Sequence, residues 1–178
     1  KKFKIPLVFE VHFVSSVLMS DLNADDQAID GKKNQEWELK DVISGAVCFT
    51  DLDRRNFLNA TNLDPQRVKV VPIGSDTESI KQRDVQDGDH NILFLGNMYF
   101  EPNAQAVEYT VDQIVPAVLE HHPEVVFKFI GDVPDSLKSK YQSEKVLFTG
   151  RVEDINEVFD GSRICIAPIQ TGGGMRVK

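Results

Sequence analysis

The sequence predicts an α/β protein built on parallel sheets, and three observations lead there. In the carboxyl half, four short apolar runs, Ile92–Leu95, Val125–Ile130, Val146–Phe148 and Ile164–Ala167, are each parted from the next by a helix-like segment. That alternation marks a parallel sheet wrapped by helices. In the amino half, the strand-like runs Ile5–Val11, Ala46–Phe49 and Val68–Val71 follow the same plan. Between the halves nearly every residue from Ser75 to His90 is polar or charged, the composition of an exposed connector rather than of a core element. Two domains are therefore expected, residues 1–76 and 91–178, joined by a connector at 77–90.

Within the first domain, Ile5–Val11 reads as a buried strand from its β-branched and aromatic content. The polar stretch Asp21–Gln35 shows little periodicity and reads as a mobile loop, and Glu36–Ile43 is helix-like. Thr50 or Asp51 can cap the next helix, which places Leu52, Phe57 and Leu58 for burial. Asn62-Leu63-Asp64-Pro65 makes the turn into Val68–Val71. In the second domain the long helix Asn103–His121 brings Ala106, Val107, Ile114, Val118 and Leu119 to the sheet, and Pro116 is expected to kink it.

Composition narrows the function classes. The chain of 178 residues can bury one good core or parts of two smaller ones. With 28 acidic against 20 basic side chains and a net charge of -8, it would repel a nucleic-acid backbone. Cys48 and Cys165 each lie in an apolar run and read as reduced core thiols, which suits the cytoplasm. The most apolar stretch, Ile5–Met19, is interrupted by Glu10 and His12 and is too short to cross a bilayer as a helix. The opening residues lack the pattern of a secretory signal. The chain begins at Lys1 rather than Met, and is expected to start inside a longer protein.

Three predicted strands run into glycine: Leu95-Gly96-Asn97, Ile130-Gly131-Asp132 and Thr149-Gly150-Arg151. In an open parallel sheet ligands bind beyond the carboxyl ends of strands, where glycine lets the backbone come close to a phosphate or a base. Equally, each glycine can simply end its strand. The segment Pro168–Lys178 contains Gly172-Gly173-Gly174 followed by Arg176 and Lys178. A glycine loop at a helix start, with cations beside it, suits a diphosphate. It matches neither the P-loop nor the dinucleotide fingerprint.

From Ile92 to Lys178 the order LFLGNMYFEPN, HPEVVFKFIGDVP, VLFTGRVEDI and ICIAPIQTGGGMRVK resembles the donor-binding domain of the group 1, or family-4, glycosyltransferases. VVPIGSD resembles that family's link between domains, with Ile73 where many members carry Asn. FEVH resembles the end of its acceptor-side domain. The resemblance implies a GT-B fold, two Rossmann-like domains, here truncated at both ends so that this piece alone has feeble activity or none. It implies sugar transfer from a nucleotide-diphosphate sugar, with retention at the anomeric carbon and without a metal or a cofactor. Gly96 and Asn97, with Gly172–Gly174, would hold the diphosphate, helped by Arg176 and Lys178. Gly150, Arg151 and Val152 would lie near the base, and His12 would reach toward the transferred sugar. The acceptor would be a sugar or a lipid-linked sugar in polysaccharide or glycolipid synthesis, with peripheral membrane contact in the full-length protein. Many relatives grip the phosphates with an Arg and a Lys after the first glycine, whereas Asn97–Pro102 contains no cation. The family's acidic residue for the donor would lie beyond Lys178.

Other residues have plainer readings. His12 also fits a structural histidine at a strand end. Asp51-Leu52-Asp53 matches a metal-binding acid-x-acid pattern, but its place at a helix start favours capping. Asp87-Gly88-Asp89 reads as a turn, His121-His122 as a helix carboxyl end, and Trp37 as an anchor for its helix. Two other functions stay open: a sugar-nucleotide epimerase, which would need cleft acids and bases and has none evident beyond Glu10 and His12, and a non-catalytic α/β nucleotide-binding module or inactive fragment.

Overall fold

A computed structural model of the chain describes residues 6–78, 90–159 and 162–172. It divides into two compact units, one formed by the chain up to Ser75 together with Thr171 and Gly172, the other by Asp76–Gln170. Both are α/β with parallel sheets, as the alternation of apolar runs predicts. The polar connector from residue 79 to 89 lies outside the described residues.

The first unit holds three parallel strands in the order β1-β2-β3: β1 Val8–Val11, β2 Gly45–Cys48 and β3 Val68–Val70. Helices α1 (Ser15–Asp21) and α2 (Asp26–Val42) connect β1 to β2, and α3 (Asp51–Thr61) connects β2 to β3. Val11, Ile43, Ala46, Cys48, Phe57, Leu63 and Val68 form its core. Two arginines fasten this layer: Arg54 donates to the carbonyls of Val68 and Pro65, and Arg67 to those of Ser44 and Ile43.

Several sequence expectations change here. The stretch expected as a loop, Asp21–Gln35, is mostly the first half of α2, a helix of 17 residues capped by Asp25, whose carboxylate accepts from the Ala28 amide at 2.9 Å. Apolar periodicity misses it because its principal buried contact is polar. The Glu36 carboxylate accepts from the Ser16 amide at 3.1 Å and the Ser16 hydroxyl at 2.6 Å, tying the start of α1 to α2. On α3, Leu52 is exposed and Asp53 is buried instead. The Asp53 carboxylate accepts from the Thr50 hydroxyl, and the Thr50 oxygen accepts from the Asp53 amide, closing the helix start. In β1 only Val11 is buried, while Val8 and Phe9 are exposed.

The second unit has four parallel strands in the order β6-β5-β4-β7: β4 Asn91–Leu95, β5 Val126–Ile130, β6 Val146–Gly150 and β7 Ser162–Cys165. Its centre is a row of phenylalanines on adjacent strands. Phe94 and Phe129 have ring centroids 5.8 Å apart, and Phe129 and Phe148 stack at 5.2 Å. Each such side chain stabilises by about 2 kcal/mol through burial. Helix α6 (Asp135–Tyr141) joins β5 to β6, and the short α7 (Ile155–Val158) precedes β7. Cys165, expected in the core, is exposed because β7 lies at the sheet edge.

The helix expected over Asn103–His121 is resolved into three pieces. Helix α4 (Glu101–Tyr109) passes into a π-helical turn, Thr110–Ile114, and continues as α5 (Val115–His121). In a regular helix Pro116 would lack a donor for the carbonyl of residue 112 and its ring would strike it. The wider turn just before Pro116 accommodates both demands. The buried Thr110 hydroxyl donates to the Ala106 carbonyl at 2.6 Å, and the Tyr141 hydroxyl lies 3.1 Å from the Asp112 carboxylate.

Two outcomes follow for stability and reactivity. Glu36→Ala removes the only partner shown for the Ser16 side chain and should destabilise the first unit by about 2 kcal/mol, with Glu36→Gln costing less; urea unfolding followed by the single Trp37 measures it. Cys48 is fully buried, and burial, with Asp53 nearby, pushes its thiol up to about 11. A thiol reagent at pH 8 should therefore modify Cys165 quickly and Cys48 only after denaturant is added.

Candidate functional site

From β4 the chain steps outward through β5 to β6, then returns to lay β7 on the other side of β4. The carboxyl ends of β4 and β7 thus form a topological switch point, where an open parallel sheet leaves a crevice for ligands. At this end of the sheet stand Gly96-Asn97, Gly131-Asp132 and Gly150-Arg151-Val152. The segment after β7 remains paired to β4, with the Ile166 amide donating to the Leu93 carbonyl at 2.8 Å.

The three glycine ends are interlocked. The Gly96 amide donates to the Ile130 carbonyl and the Gly131 amide to the Gly150 carbonyl, each at 2.9 Å, while the Met98 amide donates to the Asp132 carbonyl at 2.7 Å. Gly131 has φ +124°, and a Cβ there would lie 2.1 Å from the Gly96 oxygen. Only glycine fits. Gly150 has φ +77°, but a Cβ there would meet nothing within 4 Å. Glycines that look alike in sequence thus have different reasons: one permits two strands' ends to touch, the other only a left-handed turn.

The loop from Gly96 to Phe100 is held from within. The Asn97 side-chain oxygen accepts from the Tyr99 amide at 2.9 Å, and the Asn97 carbonyl accepts from the Phe100 amide at 3.2 Å and the Asn103 side chain at 2.6 Å. Met98 is buried beneath. Expected from sequence to approach a phosphate, the Gly96 amide is engaged inside the sheet, and those of Met98, Tyr99 and Phe100 are engaged too, whereas the amide of the exposed Asn97 makes no hydrogen bond among the described residues. What this loop displays is side chains: Tyr99 is 69% exposed and Phe100 44%. Sequence reasoning singled out neither. The absence of a cation between Asn97 and Pro102 was the available signal.

Arg151, at the end of β6, is exposed, and Val152 is half-buried. Gly172 is half-buried with φ +90°, and Gly173, Gly174, Arg176 and Lys178 lie outside the described residues. His12 belongs to the first unit, immediately after β1. Its Nε2 is 2.9 Å from a Glu10 carboxylate oxygen, and its ring meets Phe49 edge-on at 5.1 Å. Strand alternation puts residues 10 and 12 on one face.

Among the described residues no group of three His, Cys, Asp or Glu is arranged to hold a metal. Asp53 is occupied in helix capping, as its position suggested, and Asp87-Gly88-Asp89 lies outside the described residues. His121 ends α5, and His122 Nδ1 is 3.5 Å from Glu124. A hydrogen bond from its own backbone amide, then His122 and His90, holds the Glu124 carboxyl below its usual range. His90, His122, Glu124 and Arg163 line a cavity of about 490 Å³ with Ile92 and Val118. That cavity belongs to the amino ends of β4 and β5, opposite the glycines. Trp37 is 45% exposed, with the Lys40 ammonium 3.4 Å above its ring. No helix among the described residues is long and apolar enough to cross a membrane.

Comparison with known proteins gives a consistent picture. The sequence model of the family "Glycosyl transferases group 1" matches residues 89–178. An uncharacterized 44.6 kDa protein in the cps region of Klebsiella pneumoniae is 22% identical over 97 residues, 49% of this chain and 25% of that protein. The gpi3 subunit of phosphatidylinositol N-acetylglucosaminyltransferase from Schizosaccharomyces pombe is 25% identical over 138 residues, 76% of this chain and 29% of that protein. The aligned region thus makes up only 25% to 29% of the length of these relatives. Among solved structures, TarM has a TM-score of 0.71 at 11% identity, covering 96% of this chain and 33% of its own. WaaG, a glycosyltransferase involved in lipopolysaccharide biosynthesis, scores 0.62 at 14% identity, covering 91% of this chain and 50% of its own. Anabaena HepE, solved with UDP and glucose, scores 0.61 at 14%, covering 90% and 45%. The GT-B arrangement implied by the sequence resemblance is thereby borne out as a fold.

The interlocked strand ends make an unequal pair of substitutions. Gly150→Ala adds left-handed strain alone and should cost about 1–2 kcal/mol. Gly131→Ala adds a backbone clash to that strain and should cost about 3 kcal/mol or more. Thermal unfolding followed by far-ultraviolet circular dichroism compares them; equal losses would show that the approach of Gly131 to Gly96 is dispensable.

Proposed function

This chain belongs to the group 1 glycosyltransferases, and from that membership we propose that its protein moves a sugar from a nucleotide-diphosphate donor to a hydroxyl of a sugar or lipid-linked acceptor. The observation that carries the reading is the extent of the family match, which spans every strand of the second unit, together with the switch-point crevice at that sheet's carboxyl end. The transfer breaks the bond from the anomeric carbon to the diphosphate and forms one to the acceptor oxygen on the same face, so configuration is retained. The hydroxyl proton leaves with the nucleoside diphosphate.

In this reading no metal is needed, because fixed dipoles and cations stabilise the charge that develops on the departing diphosphate. Arg151 is a described cation on the candidate surface; Arg176 and Lys178 follow the glycine loop in sequence. Gly150, Arg151 and Val152 take the base side, and the glycine loop Gly172–Gly174 the diphosphate. His12 reaches the transferred sugar, with Glu10 orienting its ring. Polysaccharide or glycolipid assembly at the cytoplasmic face of a membrane, with peripheral contact, is the corresponding setting. The names of similar proteins support it, one acting in lipopolysaccharide biosynthesis and one encoded in a cps region.

One observation favours a second reading. The pairing of His12 with Glu10 at 2.9 Å is an arrangement an epimerase could use for proton transfer.

Calorimetric titration of the full-length protein with UDP-glucose, UDP-N-acetylglucosamine and GDP-mannose tests the donor reading. Saturable binding at about 1 mM or tighter is expected for at least one, unchanged by EDTA and weakened about 10-fold by Arg151→Ala. Binding by none of them would sink the reading. Conversion of a donor sugar to its epimer without acceptor would favour the second one.

A further inference from the structure

Three neighbouring strand ends of the second unit carry three exposed polar groups that the fold itself does not use. In sheet order they are the Arg151 guanidinium after β6, the Asp132 carboxylate after β5 and the Asn97 amide after β4. Although Arg151 and Asp132 stand on adjacent strand ends, their side chains form no ion pair with each other and no hydrogen bond among the described residues. Their backbones are nevertheless fixed. The Gly131 amide donates to the Gly150 carbonyl at 2.9 Å, beside Arg151, and the Met98 amide donates to the Asp132 carbonyl at 2.7 Å, beside Asn97. Neighbouring strands lie about 5 Å apart, so the rim offers a cationic donor, an anionic acceptor and a neutral donor at that spacing. One exposed charge is ordinary on any surface. A carboxylate set between two donors at a ligand-binding rim repels an anionic ligand, unless the ligand brings a donor of its own to that place.

From this order we infer that Asp132 reads the ribose of the donor, its carboxylate accepting hydrogen bonds from the 2′- and 3′-hydroxyls. The inference rests on the donor reading above and deepens it, since that reading puts the base at the end of β6 and the diphosphate at the glycine loop after β7. The nucleotide then crosses the end of β5, and its middle part is the ribose. Its groups match the rim in sequence: carbonyl oxygen on the base, two hydroxyls on the ribose, anionic oxygens on the phosphates. An ionised carboxylate only accepts, so of these it suits the hydroxyls alone. The two hydroxyls are adjacent on one face of the ring, within reach of one carboxylate. Dinucleotide-binding sheets use the same chemistry, with an acidic residue accepting from a ribose hydroxyl near a phosphate-binding loop. A site that hydrogen-bonds a hydroxyl rejects the analogue lacking it, which makes Asp132 a determinant of ribonucleotide over deoxyribonucleotide.

The full-length protein and its Asp132→Ala and Asp132→Asn variants are titrated with UDP, 2′-deoxy-UDP, GDP and 2′-deoxy-GDP. Glu144→Ala, which removes an exposed carboxylate at the opposite end of β6, controls for net charge, and circular dichroism melting controls for folding. For the base it prefers, the parent should bind the ribonucleotide about 10-fold more tightly than its 2′-deoxy form. Asp132→Ala should reduce that preference to about 2-fold or less. Asp132→Asn, whose amide oxygen still accepts, should fall between, and Glu144→Ala should keep the parent's preference.

A parent that binds both forms equally overturns the assignment, and so does an Asp132→Ala variant that keeps the full preference while its overall affinity rises or falls. Either result leaves the donor reading intact. A parent that binds none of the four nucleotides overturns both readings at once.

Discussion

The second unit depends on one close approach, that of Gly131 to Gly96 at the carboxyl ends of β5 and β4. With a carbonyl oxygen where a Cβ would sit, neither strand end can move without the other. The hydrogen bonds Gly96 to Ile130, Gly131 to Gly150 and Met98 to Asp132 run through this contact. Three strand ends therefore behave as one rigid rim, and the loop leaving β4 inherits its position from the rim rather than from its own residues. Rigidity of this kind matters at a binding surface because misplacement by about 1 Å costs a large part of what positioning contributes.

The stack of Phe94, Phe129 and Phe148 does for the interior of that sheet what the glycines do for its edge. Aromatic rings on three adjacent strands fix the spacing through side chains where hydrogen bonding fixes it through backbone. The first unit is held differently. Its sheet has three described strands, and much of its fastening is polar: Glu36 to Ser16, Thr50 with Asp53, and two arginines that reach backbone carbonyls. Such contacts are worth about 1 kcal/mol each but are directional, which suits them to setting where helices begin and end.

How much of this could be read in advance follows from the same contrast. The seven described strands lie in or overlap apolar runs of the sequence, and the inner ones of the second unit, β4 and β5, are the most apolar because a central parallel strand is covered on both faces. The first half of α2 was illegible because its packing relies on a carboxylate, and nothing in the letters around Glu36 says that a serine twenty residues earlier will meet it. Leu52 and Asp53 exchanged their expected places for a related reason: a capping aspartate turned inward leaves its apolar neighbour outside. Cys165 looked like core because ICIA is apolar, yet the face an edge strand buries depends on what lies beside it. At the candidate site the three glycines were legible as positions and not as causes. Tyr99 and Phe100 carry no mark in the sequence because exposure is a property of the folded loop.

The π-helical turn at Thr110–Ile114 has a consequence for how this helix can vary. One residue more than a regular helix needs is stored there, and each residue of an α-helix advances the spiral by about 100°. The apolar stripes of α4 and α5 are therefore in phase only because the extra residue is present. Loss of a single residue anywhere between Ala106 and Val115 would rotate one stripe off the sheet, whereas substitutions that keep the count leave it aligned. Length, more than identity, is the quantity this part of the chain has to conserve.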